Sequence, residues 1–318
     1  MNDKLVSVVI PVFNQESFVV ECIASVLEQD YSNIQIIVID DGSSDASAEL
    51  AAKKFGNRIE LLRQRNLGPS AAINAGLQIA SGDFIALLGG DDISAIDRIS
   101  RQVEFISTSR HDIVFSKPVI IDGEGQQLPD ASFPIFFQES GDSAYLLQKL
   151  FFVGNFFCAP SAMLRKEVIQ RIGQFHRGLI QLQDYDYWLR ALAGGLSLGL
   201  DNHRGVYYRR HRENLSTELR SNAAMSEMPY ILHRILNQGD CRLLRQAFQH
   251  VLKPVSLDTP LSEIEKNFLL MAHPSPEVRG SAVTHFLNHV ESDVSFKEAE
   301  KYGFNQFRYL YNCGHSSD

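Results

Sequence analysis

Along the first 120 residues, short apolar runs rich in β-branched side chains alternate with stretches in which apolar residues recur every three or four positions. VSVVIPV (6–12), IQIIVID (34–40), IELL (59–62), FIALL (84–88) and DIVFS (112–116) read as strands. Between them, residues 18–27, 46–55, 70–80 and 97–106 read as helices; in the first, Val19, Ile23, Val26 and Leu27 share a face. Nearly continuous apolar strands separated by helical crossovers predict a mainly parallel sheet covered on both faces. Ligands of such a sheet gather at the C-terminal strand edges, so the polar groups that end each strand are the ones to inspect.

The pattern then changes. Residues 122–134 read as turn and loop, an aromatic-rich section runs through Phe157, and a helix is expected near 185–193. Beyond residue 215, helical patterns recur at 225–236, 241–252, 261–272 and 276–289 without a reactive constellation. The division expected is a catalytic α/β domain over 1–215 and a helical region over 216–318, the latter serving packing, acceptor contact or homo-oligomerisation.

Composition narrows the function classes. The chain has 318 residues, 44% of them hydrophobic, enough for a large core, and a formal charge of −8 that gives no general attraction to nucleic acid. Cys22, Cys158, Cys241 and Cys313 match neither a zinc spacing nor a CxxC motif, and read as reduced thiols of a cytoplasmic protein. The N-terminus passes from its first apolar run into Pro11, Asn14, Gln15 and Glu16, and reads as a strand and not as a secretion signal. The apolar stretch 146–164 is broken by Gln148, Lys149, Asn155 and Pro160, which argues against a spanning helix and leaves peripheral contact with a membrane surface open.

Six strand-end or helix-start groups carry candidate chemistry. The first strand exits through PVFNQES, with Ser17 placed to cap the next helix, and the second through DDGSSD, where Asp40 and Asp41 precede a permissive Gly42. A carboxylate fixed there can accept hydrogen bonds from a base or a ribose, or can simply close a turn. The third exit, RQRNLGPSAAINAG, offers Arg63 and Arg65 to phosphate or solvent, and Asn66, Gly68 and Asn74 to a ligand; its alanines and Gly76 are suited to close packing. The fourth, LLGGDD, delivers Asp91 and Asp92 as metal or diphosphate partners, or as an acidic start to the next helix. Further on, LQDYDYWLR sets Asp184 at a helix start as a candidate general base or a helix cap, and YYRRHRENLS sets His211 among arginines that can meet phosphate or form a solvated basic turn. Neither a G-x-G-x-x-G after the first strand nor a Walker A motif is present.

As an ordered set, SVVIPVFNQESFVVECIASVLEQ, IIVIDDGSSD, RNLGPSAAINAGL, GDFIALLGGDD, AMLRKEVIQRIGQF, LQDYDYWLR and YYRRHRENLS resemble the family 2 inverting glycosyltransferases of the GT-A fold over about residues 5–216. The resemblance implies a Rossmann-like domain that binds a nucleotide-diphosphate sugar, expected to be a UDP-sugar, through Pro11, Phe13, Glu16, Asp40 and Asp41. It implies Asp91 and His211 as partners of Mg2+ or Mn2+ and Asp92 as an assisting group. Asp184 would be the base that activates an acceptor hydroxyl on a glycan or a lipid-linked sugar, in polysaccharide synthesis at the cytoplasmic side of a membrane. Three positions depart from the family pattern: Gly89 where a first aspartate is frequent, Gln183 where glutamate is usual, and Ile73 at an often basic place. The competing readings are a sugar-1-phosphate nucleotidyltransferase, whose glycine- and arginine-rich loop is not seen in PVFNQES, and a degraded glycosyltransferase that binds carbohydrate without transfer.

Overall fold

The computed structural model describes residues 4–130, 136, 141–215, 221–289 and 293–302. Cys313, residues 131–134 of the expected loop and Ser216 of the last motif lie outside them. Eight strands form one sheet: β1 (Val6–Val12), β2 (Ile34–Asp40), β3 (Glu60–Arg63), β4 (Phe84–Leu87), β5 (Ile93–Ser94), β6 (Ile113–Ile121), β7 (Ala162–Arg165) and β8 (Leu198–Arg209), in the order β3-β2-β1-β4-β7-β6-β8-β5. Pairs β1–β2, β1–β4, β2–β3 and β6–β8 are parallel, whereas β7 runs antiparallel to β4 and β6, and β5 antiparallel to β8.

Strand composition explains strand position. β1 lies between two parallel neighbours, and its side chains alternate between the faces: Val9 enters one core, Val8 and Ile10 the other. β3 is largely exposed, as an edge strand with Glu60 and Arg63 can be. The helices α1 (Val19–Leu27), α2 (Ser47–Phe55), α3 (Pro69–Ile79) and α4 (Arg98–Thr108) supply the crossovers. The small face of α3 packs as expected: a Cβ on Gly76 would stand 2.4 Å from a Val9 methyl. Ser17 does not cap α1, whose start carries no side-chain cap.

The aromatic-rich section contains α5 (Ser143–Val153), and α6 (Lys166–Ile172) follows β7. α7 (Gln183–Ala193) then precedes β8. Among the described residues, none of the helices is long and apolar enough to cross a membrane.

The region after residue 215 forms α8 (Ser221–Gln238), α9 (Cys241–Ala247), α10 (Glu263–Met271), α11 (Pro276–His289) and α12 (Asp293–Lys301). Ile231, Leu232, Leu244, Phe248, Leu269 and Val278 from these helices and their connections join the same buried cluster as Leu150, Phe151, Trp188 and Leu189. The C-terminal helices therefore continue the core that lies under α5 and α7.

Candidate active site

At the end of β4 the chain turns through Gly89 and Gly90 and presents Asp91 and Asp92 to β8. A Cβ on Gly89 would stand 2.6 Å from Asp92 Oδ2 and 2.8 Å from Asp91 Oδ1, and one on Gly90 would stand 2.3 Å from Gln15 Oε1. The space left by the missing side chains is where the carboxylates and the β1 exit meet. Asp91 Oδ2 lies 2.8 Å from His211 Nε2 and accepts a hydrogen bond from the Asn214 amide at 3.2 Å. Strand pairing brings these groups together across 120 positions of sequence. Phe18 lies beside His211, with ring centroids 4.9 Å apart.

Asp92 has a different role from the assisting contact expected of it. It is buried, and its Oδ1 accepts the Arg209 backbone N–H at 2.9 Å. Burial, and then the charge of Asp91, pushes its carboxyl well above the usual range. It fastens the β4 exit to β8 and is not a helix cap, since α4 begins after Asp97.

Arg209 is likewise committed to structure. Its guanidinium is buried, donates to the carbonyls of Asp91 (2.8 Å) and Gly123 (3.0 Å), and pairs with Glu21 at 2.6 Å, so it is not free to meet phosphate. Beneath these groups lies Arg98, fully buried, donating to Leu87 O at 2.9 Å and Ala162 O at 3.3 Å. Burial pulls its guanidinium down to about 10. Asn214, Glu21 and Arg98 are absent from the sequence reading; the only available hint was the place of Asn214, three residues after His211 in one turn.

The exits of β1 and β2 are knitted together. Asn14, in a left-handed conformation with φ 53°, donates its N–H to Ser43 Oγ, and its side chain accepts from Ser44 N–H at 2.8 Å. Glu16 donates its N–H to Asp45 and accepts from Ala46 N–H, each at 2.9 Å. Pro11 is half-buried and Phe13 is 45% exposed, leaving an aromatic face open at the edge of the crevice.

Asp40 is fully buried; its Oδ2 accepts no hydrogen bond and lies 3.3 Å from Arg63 Nε, while Oδ1 accepts from Ser43 N–H. Asp41 holds the third exit: it accepts from the Gln64 amide (2.7 Å), Leu67 N–H (2.9 Å) and Gly68 N–H (2.8 Å). Asn66 is exposed, and its backbone N passes so near Gly42 (φ 78°) that a Cβ there would stand 2.6 Å away. Asn74 departs from the ligand role expected of it. Its amide donates to Phe175 O (2.8 Å) and accepts from Phe175 N–H (2.9 Å), so both ends of a buried side chain are spent on the loop ahead of α7.

Asp184 sits at the start of α7, partly buried, with Oδ2 accepting from the Asn155 amide at 2.7 Å and Oδ1 from Tyr185 N–H at 2.8 Å. Burial pushes its carboxyl up to about 6, against the pull of those two hydrogen bonds. Tyr185, Tyr187 and Trp188 are fully buried in the core. The Cys158 thiol is raised first by burial, then by Asp92, with Asp184 adding to it, so both carboxylates act on one residue.

For a cation, this crevice offers one carboxylate and one imidazole in contact, Asp91 and His211, with Asp91 Oδ1 outside their mutual bond. Among the described residues no group of three or more His, Cys, Asp or Glu side chains can hold a metal. The carboxylate oxygen of Asp91 fits Mg2+ or Mn2+, the imidazole of His211 is a softer donor than these ions usually take, and a diphosphate and water would have to complete most of the shell.

Residues 7–173, more than half of the chain, match the model of the family described as glycosyl transferase family 2. An uncharacterized glycosyltransferase of Haemophilus influenzae is 33% identical over 195 residues, covering 60% of this chain and 73% of that protein. One of Methanocaldococcus jannaschii is 30% identical over 199 residues, 61% of this chain and 66% of that protein. The match covers only 31% of a Rickettsia felis relative. Among solved structures, S. aureus TarS residues 1–349 superpose with a TM-score of 0.59 at 18% identity, covering 94% of this chain and 88% of that one. The mannosyltransferase PcManGT from Pyrobaculum calidifontis, in complex with GDP-Man and Mn2+, gives 0.58 at 14% identity, covering 98% and 86%. These likenesses show the GT-A fold.

Proposed function

This chain belongs to glycosyl transferase family 2, and from that premise we propose that it transfers a sugar from a nucleotide-diphosphate donor to an acceptor hydroxyl with inversion at the anomeric carbon. The observation that carries the reading is the meeting of Asp91 and His211, 2.8 Å apart at the C-terminal edge of the sheet. Its neighbours supply the rest. Asp40, whose buried Oδ2 is met among the described residues only by the exposed Arg63 at 3.3 Å, is suited to accept from the donor's base, and the exposed Phe13 ring to lie against it.

Asp91 and His211 would hold Mg2+ or Mn2+ together with the donor diphosphate. Such a cation, when bound, supplies charge neutralisation on the leaving nucleotide diphosphate. Complexes of structural neighbours support the donor class: UDP-GlcNAc with S. aureus TarS 1–349, and GDP-Man with Mn2+ in PcManGT. A UDP-sugar is the donor we put first.

Asp184 takes the proton of the acceptor hydroxyl as that oxygen attacks the anomeric carbon, and the bond to the diphosphate oxygen breaks on the opposite face. A carboxyl raised to about 6 is still ionised near neutrality, yet basic enough to accept a proton in the transition state. The acceptor we propose is a glycan or a lipid-linked sugar presented at a membrane surface.

The test is mass-spectrometric detection of transferred sugar across a panel of sugar nucleotides and of glycan and lipid-linked acceptors, with Asp184→Asn as control. Transfer by the wild type and not by D184N is expected. Nucleotide release by hydrolysis alone, or binding without transfer, would contradict the reading.

A further inference from the structure

α7 has Leu182 at its N-cap, a residue that makes no side-chain cap bond, and of its own first turn Asp184 serves only the Tyr185 N–H. The three backbone N–H groups just ahead of the helix converge instead on one carboxylate from α8. Glu227 accepts from Ile180 N–H at 2.7 Å, Gln181 N–H at 3.1 Å and Leu182 N–H at 2.7 Å. Successive N–H groups form a concave anion site, and here the protein fills it with its own side chain. A second bond fastens the same helices further along, where Arg234 reaches the buried Asp186 at 3.1 Å.

We propose that Glu227 is a positioning residue for the base: from the C-terminal region it fixes the loop that delivers Asp184. The proposal rests on the reading of Asp184 as the base. Geometry supports it, since three bonds to consecutive N–H groups leave the loop entering α7 little freedom two residues before Asp184. Electrostatics agrees: after burial, the charge of Glu227 is a further influence raising the Asp184 carboxyl. Among the described residues, the other polar and titratable groups facing Asp184 are the Asn155 amide and the Cys158 thiol, while Asp186 is neutralised by Arg190 at 2.8 Å and by Arg234.

The experiment compares wild type, D184N and Glu227→Gln in full-length protein, measuring nucleotide binding by calorimetry and kcat and KM of transfer against pH. E227Q is expected to bind donor as the wild type does while its plateau kcat falls about tenfold or more through misplacement of the base. Its acidic limb should move to lower pH, because loss of a neighbouring negative charge makes Asp184 easier to ionise. Should E227Q fail to fold, Glu227→Asp, which keeps the charge and withdraws it by one methylene, is expected to lower kcat with donor binding intact. Unaltered transfer by D184N overturns the base reading and this proposal with it. Loss of transfer in D184N alongside a normal kcat and an unmoved acidic limb in E227Q, or a normal kcat in E227D, overturns this proposal alone.

Discussion

In the proposed function Asp184 and Asp91 divide the chemistry between them, and substituting either is expected to leave the fold around it intact. Asp184→Asn keeps the size of the side chain and its bond with Tyr185 N–H, so folding should survive while transfer falls about 10²- to 10⁴-fold, as expected for loss of a general base. Because only the ionised form accepts a proton, wild-type kcat should rise with pH through about 6 and flatten above it, as measured by initial rates across that range. A flat profile between pH 5 and 7 would remove Asp184 from this role. For Asp91, chelation should abolish wild-type transfer and added Mn2+ restore it. Asp91→Ala should need far more Mn2+ or stay inactive, and undiminished transfer by D91A in chelator would exclude the metal role. What the residues disclosed beforehand follows the same division. Charged and titratable groups announce themselves in sequence, so Asp91, His211 and Asp184 were legible, whereas the amides Asn155 and Asn214 that orient them carry no such mark. Among the arginines around His211, each of which invites a phosphate, only the folded β8 shows that Arg209 is turned inward to backbone carbonyls.

At the scale of elements, the site depends on loops being tied to strand ends by buried carboxylates. Asp41 is the clearest case: it is buried and satisfies one side-chain amide and two backbone N–H groups of the β3–α3 loop. Asp41→Ala strands those donors, so chemical denaturation should show a loss of about 2 to 3 kcal/mol, along with weaker nucleotide binding. An unchanged denaturation midpoint would mean that water replaces the carboxylate at no cost. The elements these loops join were largely readable, because the alternation of period-2 and period-3.6 patterns over β1 to α4 is long and regular. Short pieces were not: β5 has two residues and β7 four, too few to show a period, and both take their strand form from antiparallel pairing with distant chain. α5 was hidden by its own composition, since its apolar residues lie on both sides of the helix axis, with Phe151 inward and Val153 at 55% exposure. The strands β1 to β4 and β6 were therefore visible in sequence, and the short antiparallel strands β5 and β7 that complete the sheet were not.

The whole molecule adds a constraint that neither residues nor elements carry alone: the helical region after residue 215 and the sheet share one core. Phe248 stacks edge-on against Phe151 at 4.9 Å, and Ile231, Leu232 and Ile235 of α8 lie in the cluster that holds Trp188 and Leu189 of α7. Each such side chain is worth about 1.5–3 kcal/mol when buried. Losing even several of them rivals the roughly 5–15 kcal/mol by which a domain is stable. Truncation after Leu215 would also strip Arg234 from the buried Asp186 and Glu227 from the loop ahead of α7. Residues 1–215 alone should therefore lack a cooperative thermal transition by calorimetry and show weak near-ultraviolet circular dichroism, although every strand of the sheet is present. In the full chain, Phe248→Ala should cost about 3–5 kcal/mol for the same reason, by opening a cavity against Phe151. A truncated chain that melts cooperatively at the full-length temperature would instead make the C-terminal helices an independent unit, and their contacts with α7 would then have to be maintained by something other than a shared core.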